Sequence, residues 1–201
     1  MENYNLKESV EKLFKEYRNP QMIGAVLWED IQANYPPNKG ILLPGKLYVL
    51  GYKKDSKKLY DTRPYILCFG ACDNADPTVV YGLAWHYIPQ KIRWQLGEYI
   101  FEMFAGKISS EIEKYPDIAD APKQDFIKDC IKETIVPALK KVNLTGAIHK
   151  YDMKNMTYCY AINYNRFHWV LCDESNTFAN GTIADAQKSF LEKMARPALR
   201  H

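Results

Sequence analysis

The chain has no run approaching the roughly 20 uninterrupted apolar residues that a bilayer-spanning helix needs. Its opening, Met1-Glu2-Asn3-Tyr4-Asn5-Leu6-Lys7-Glu8, lacks the basic and then apolar regions of a signal peptide. Cysteine is scarce. Cys68, Cys72, Cys130, Cys159 and Cys172 are an odd five in 201 residues, without the density of a disulfide framework. Together these absences predict a soluble, intracellular protein with free thiols and no membrane association. An excess of one charge is also missing: 27 Lys and Arg against 24 Asp and Glu leave a net +3, a weak pull toward a polyanion.

Catalytic and ligand-binding signatures are equally thin. No GxxxxGK[ST] loop, GxGxxG turn or HExxH helix occurs, which removes the common nucleotide and zinc-hydrolase readings. Cys68 and Cys72 are separated by three residues with no second pair to complete a tetrahedral site, so no metal and no cofactor are expected. Cys68 or Cys172 with His86 or His168 would compose a nucleophile and base on paper. Every globular chain offers such combinations, however, and no local signature surrounds these. Asp117, Asp120, Asp125 and Asp129 flank helix ends and read as caps or solvated faces. The expectation is a protein that binds rather than catalyses.

What the chain does have is core material. It is 47% hydrophobic and 13% aromatic with fifteen tyrosines, enough for one main domain with an appendage. Leu6, Val10, Leu13, Phe14 and Tyr17 recur at helical spacing, ended by Asn19-Pro20, and a second helix spans 21–32. These predict an N-terminal helical arm over residues 1–40 that docks on a partner or another copy. From Pro44 the pattern changes to short β-rich runs, 46–52, 65–71 and 79–87, separated by the polar tip Lys53-Lys54-Asp55-Ser56-Lys57-Lys58 and the turn Asp73–Pro77. Pro89 opens a helix whose stripe runs through Ile92, Leu96, Ile100, Met103 and Phe104 to Gly106. Another helix over 122–139 should kink or stop at Pro137. A short element at 158–163, a returning strand at 167–172 and a terminal helix over 183–194 complete the reading. The expected fold is α+β over residues 41–201, a small SH3-like β-barrel or bent antiparallel sheet with flanking helices.

Cations interleaved with aromatics are the strongest binding signal. Lys53, Lys54, Lys57, Lys58 and Arg63 accompany Tyr48, Tyr52 and Tyr60 on the first hairpin, Lys91 and Arg93 start the next helix, and Arg166 follows later. Such residues can track a phosphate backbone and stack exposed bases. The competing reading is a solvated hairpin edge.

The ordered run Leu43-Pro44-Gly45-Lys46-Leu47-Tyr48, Gly51-Tyr52-Lys53, Tyr60-Asp61-Thr62-Arg63-Pro64 and Gly82-Leu83-Ala84-Trp85-His86-Tyr87-Ile88-Pro89 with Arg93, then Tyr158-Cys159-Tyr160 and Asn165-Arg166-Phe167, resembles a family of small proteins of contractile-tailed phages. The likeness covers residues 43–172. Ala84-Trp85 stands where that family tends to have Leu-Asn, and the arm is an addition. The resemblance implies a DNA end protector or head-completion role in the virion, with assembly in the host cytoplasm. Its implied partners are other phage structural proteins and DNA, and self-association is compatible with it. The rival is a tail or baseplate adaptor that contacts protein only. Read without the resemblance, Pro44, Gly45, Lys46, Tyr48, Asp61, Pro64, His86, Tyr87 and Pro89 are fold determinants: turn geometry, a turn cap and a satisfied buried histidine.

Overall fold

The computed structural model describes residues 5–52, 61–73, 76–103, 121–174 and 182–195. Two helices come first. Asn5 accepts a hydrogen bond from the Glu8 amide to start α1 (Leu6–Glu16), and Asn19 accepts from Gln21 ahead of Pro20 to start α2 (Pro20–Asn34). Strands β1 (Leu47–Tyr52), β2 (Tyr65–Asp73) and β3 (Asp76–Ala84) follow as an antiparallel meander. After a 3-10 turn at Trp85–Tyr87 comes α3 (Gln90–Glu102). The helix end expected at Phe104–Gly106 and the acids Asp117 and Asp120 lie outside the described residues. Later elements are α4 (Ala121–Cys130), a π-helical turn at Ile131–Ile135, α5 (Val136–Lys141), β4 (Ile148–Asp152), β5 (Met156–Ile162), α6 (Phe167–Cys172) and α7 (Ile183–Ala195).

All five strands form one antiparallel sheet in the order β4-β3-β2-β1-β5. Strands β4 and β5 therefore lie at opposite edges, yet only Met153–Asn155 joins them. Flat, those edges would stand about 19 Å apart at roughly 4.8 Å per strand. Four residue steps reach at most about 14 Å. The sheet must curl, and Tyr52 at the end of β1 reaches across the curl to donate its hydroxyl hydrogen to the Asp152 carbonyl at 3.1 Å. Register shifts at Gly51/Tyr52, between Cys68 and Gly70, and between Ala71 and Asp73 bend the strands at three points. The curl leaves the sheet open, so the closed-barrel alternative is not formed.

Alternate residues of β1 serve two cores. Leu47 and Val49 face the helices, packing with Leu67, Trp85, Ile100 and Leu171; Tyr48 and Leu50 face the inside of the curl with Ile66, Cys68 and Val80. The N-terminal arm expected to await a partner is part of this core. Leu6, Leu27 and Ile31 pack in the main cluster, and Val10, Leu13 and Ile23 form a second with Cys172. An amphipathic stripe shows that a helix needs a surface, and here the rest of the same chain supplies it.

Three local expectations also change. The strand expected over 79–87 ends at Ala84. The strand expected at 167–172 is helix α6, because a six-residue run whose apolar residues include 167, 170 and 171 fits one helical face as well as an alternating strand. The returning strands are β4 and β5 instead. The helix containing Pro137 neither stops nor breaks there: the preceding π-helical turn absorbs the missing N–H donor, and α5 continues to Lys141.

Candidate functional site: a buried aspartate–histidine–arginine cluster

Among the described residues, four charged or polar side chains are buried: Asp61, His86, Arg93 and Asp173. They come from four places in the chain and meet in one cluster. Asp61 sits in the turn ahead of β2, where its Oδ1 accepts from the Arg63 amide at 2.9 Å and its own amide donates to the Tyr87 hydroxyl at 3.1 Å. His86 lies in the 3-10 turn that ends β3, Arg93 in the first turns of α3, and Asp173 follows α6.

The His86 ring lies between the two carboxylates. Nδ1 is 2.7 Å from Asp61 Oδ2 and Nε2 is 3.7 Å from Asp173 Oδ2, and the ring is fully buried. The edge of Tyr65 meets its face at 5.2 Å. Burial disfavours the imidazolium, but Asp61 and Asp173 outweigh it, and the net effect raises the His86 pKa above its ordinary value. Arg93 acts as a three-way tie. Its Nε and Nη2 donate to the Ile88 carbonyl, and Nη1 donates to the carbonyls of Leu171 and Asp173, all at 3.1–3.2 Å. Burial pulls its pKa down and Asp173 opposes that. From α7, Gln187 donates to the His86 and Ile88 carbonyls at 3.1 Å each. The arrangement clamps four chain segments with groups closed to solvent. Its chemistry is cohesion.

The other fold-determinant residues read from sequence make local turn and strand contacts. Gly45 takes φ +76°, the left-handed conformation open to glycine, and accepts from the Tyr164 hydroxyl at 2.7 Å. Pro44 precedes it in that turn, and the Lys46 carbonyl accepts from the Cys68 amide at 2.9 Å. Tyr48 is buried and its hydroxyl accepts from the Leu43 amide; burial pushes its pKa well above the ordinary range. The carbonyls of Pro64 and Pro89 accept from Leu50 and Arg93.

Among the described residues, the cations chosen for phosphate contact differ in exposure and in partners. Lys53, Lys54, Lys57 and Lys58 lie outside the described residues. Lys91 is exposed on α3. Arg63 is half-buried with its guanidinium 5.0 Å over the Trp28 ring. Arg166 forks onto Asp30 at 3.1 and 3.2 Å, already neutralised at the rim of an open groove of about 600 Å3 that also takes in Asn34, Tyr35, Asn163 and Asn165. Arg93 is withdrawn from the set entirely, because a side chain with no exposure cannot reach a phosphate.

Sequence reasoning missed Asp173 and Gln187. An acid after an apolar run and a glutamine inside a terminal helix carry no local signal; only tertiary packing reveals them. Among the described residues, no three His, Cys, Asp or Glu side chains group as metal ligands. No protein-family model, curated protein or solved structure matches this chain.

Proposed function

We propose that this chain is a non-enzymatic virion or packaging-associated phage protein, a rigid scaffold that binds DNA ends or neighbouring head–tail proteins. One observation carries the reading. Asp61, His86 and Arg93, residues of the phage-like motifs suited to chemistry, are buried and, with the partly buried Tyr87, are joined in internal hydrogen bonds. A fold that devotes its histidine, arginine and aspartates to cohesion is built to hold a surface still. The strand order with β4 and β5 at opposite edges, joined by one 3-10 turn, supports reading the curled sheet as an SH3-like small barrel left open between those strands.

The protein-only adaptor is the second reading, and the placement of two cations favours it: Arg93 is internal and Arg166 is paired with Asp30. The DNA reading then rests on Lys53, Lys54, Lys57, Lys58, Lys91 and Arg63. Binding to a blunt-ended duplex and to a closed circle across a salt series separates the two. End binding requires tighter association with the linear form. It also requires a log–log salt slope that shrinks by about 0.9 for each phosphate no longer neutralised when the four hairpin lysines become serine. Equal, negligible binding to both substrates at low salt leaves only the adaptor.

A further inference from the structure

We propose that His86 is a proton-operated clasp: the protonated ring ties the turn before β2 to the end of α6, and loss of one proton releases the C-terminal helix α7 from the sheet. The clasp operates whichever partner the protein binds.

The geometry fits an imidazolium. A neutral imidazole has one N–H and one lone pair, so it can satisfy one carboxylate and must turn a lone pair toward the other. Here both ring nitrogens face carboxylate oxygens, at 2.7 Å for Asp61 and 3.7 Å for Asp173, in a site from which water is closed off. Among the described buried groups, two carboxylates face one guanidinium and one imidazolium, and removing a proton shifts that balance by one negative charge. The longer contact is the weaker, so the proton departs from Nε2 and leaves a lone pair against Asp173.

Asp173 cannot retreat freely, because its backbone carbonyl is held by Arg93 Nη1 at 3.1 Å. The strain passes to the 3-10 turn that carries His86. That turn is where α7 docks: Gln187 donates to the carbonyls of His86 and, just beyond the turn, Ile88, and Tyr87 packs on Ile183 and Ala186. Displacing the turn therefore weakens both hydrogen bonds and the apolar contact that seat α7.

Among the described residues, the other charged and titratable groups near the cluster are Arg63 beside Asp61, Tyr65 on β2, Tyr87 in the turn, Arg93 on α3, His149 and Tyr151 on β4, and Glu174 after Asp173. Burial raises the three tyrosines further above their ordinary pKa, and Arg93, though burial lowers it, starts from the guanidinium range. His149, stacked on Tyr87 at 4.5 Å, is the neighbour whose titration could mimic the effect.

Hydrogen exchange on the full chain between pH 6 and 9, corrected for intrinsic rates, tests the clasp in wild type, His86→Gln and His149→Gln. Protection of α7 in the wild type should be lower than that of β1 and β2 at every pH and should fall by up to about tenfold per pH unit between the ordinary 6.5 and the ring's raised folded value, the limit for one linked proton, before levelling off. His149→Gln should behave like the wild type, and His86→Gln should show weak α7 protection that no longer varies with pH. Wild-type α7 protection that is constant with pH, or that equals the protection of β1 and β2, overturns the proposal, as does a pH response lost in His149→Gln. If His86→Gln does not fold, Asp173→Asn serves: removing that carboxylate must move α7 release to lower pH, and an unmoved transition refutes the clasp.

Discussion

Arg93 illustrates how burial decides the meaning of a residue. On an exposed helix start it would be a phosphate contact; here it supplies donors to three carbonyls at the junction of α3, α6 and the His86 turn. Arg93→Met should therefore destabilise the fold by about 3–5 kcal/mol, since it strands buried carbonyls and leaves the carboxylates in excess, and urea denaturation measures the loss. Gly51 acts through space rather than charge. A Cβ there would meet the Tyr158 ring and the Thr157 hydroxyl, so Gly51→Ala should cost about 1–3 kcal/mol by overpacking in the same assay. Two histidines set opposite limits on pH. The contribution of His86, whose folded pKa is raised, is fully present below the ordinary 6.5 and is lost as pH rises through the folded value. Burial, aided by Arg166, pushes His168 down to about 4, so the folded state binds its proton less readily and stability falls as pH drops from 6.5 toward 4. Denaturation midpoints across pH should thus pass through a maximum, and His168→Asn should flatten the acid side alone.

The two N-terminal helices decide what the folding unit is. Leu27 and Ile31 of α2 are 1% and 0% exposed inside the main cluster, so Leu27→Ala should cost about 2–5 kcal/mol. Deleting residues 1–38 removes both helices and exposes their seat on α3 and α6. The shortened chain should lose its cooperative unfolding transition, as circular dichroism during urea titration would report. A truncated chain with a sharp transition would mean that the arm is an accessory after all. The amphipathic pattern of α1 revealed that the helix has an apolar face, but a periodic stripe carries no address for its partner surface.

Over the molecule as a whole, three of the five thiols lie inside. All five cysteines are free, yet Cys68, Cys159 and Cys172 are buried, and burial pushes their thiols to about 12, 11 and 12. Cys72 and Cys130 are partly exposed. A thiol reagent at pH 8 should label those two in the native protein and reach the remaining three only at the rate of global unfolding, with five labelled in denaturant. Fast labelling of Cys172 would show that the seam between α1, α2 and α6 opens independently of the sheet.

The sequence by itself determined the elements with strong local signals: the periodic helices read over 6–18 and 21–32 and found at 6–16 and 20–34, the meander read over 46–87 and found over 47–84, and the turn residues Gly45, Asp61 and Pro64. Each of these follows from dihedral preferences, short-range hydrogen bonds or periodicity, which neighbouring residues carry. Only the tertiary structure decided that Phe167–Cys172 is a helix, that β4 and β5 flank a curled sheet, and that the N-terminal helices belong to the core. The same holds for the cluster. Asp61 and His86 stood out locally, but their bond spans 25 residues, and Arg93 reaches Asp173 across 80. Whether a charged side chain meets solvent, a phosphate or a buried carbonyl is fixed by what folds over it, and no window of neighbouring residues contains that information.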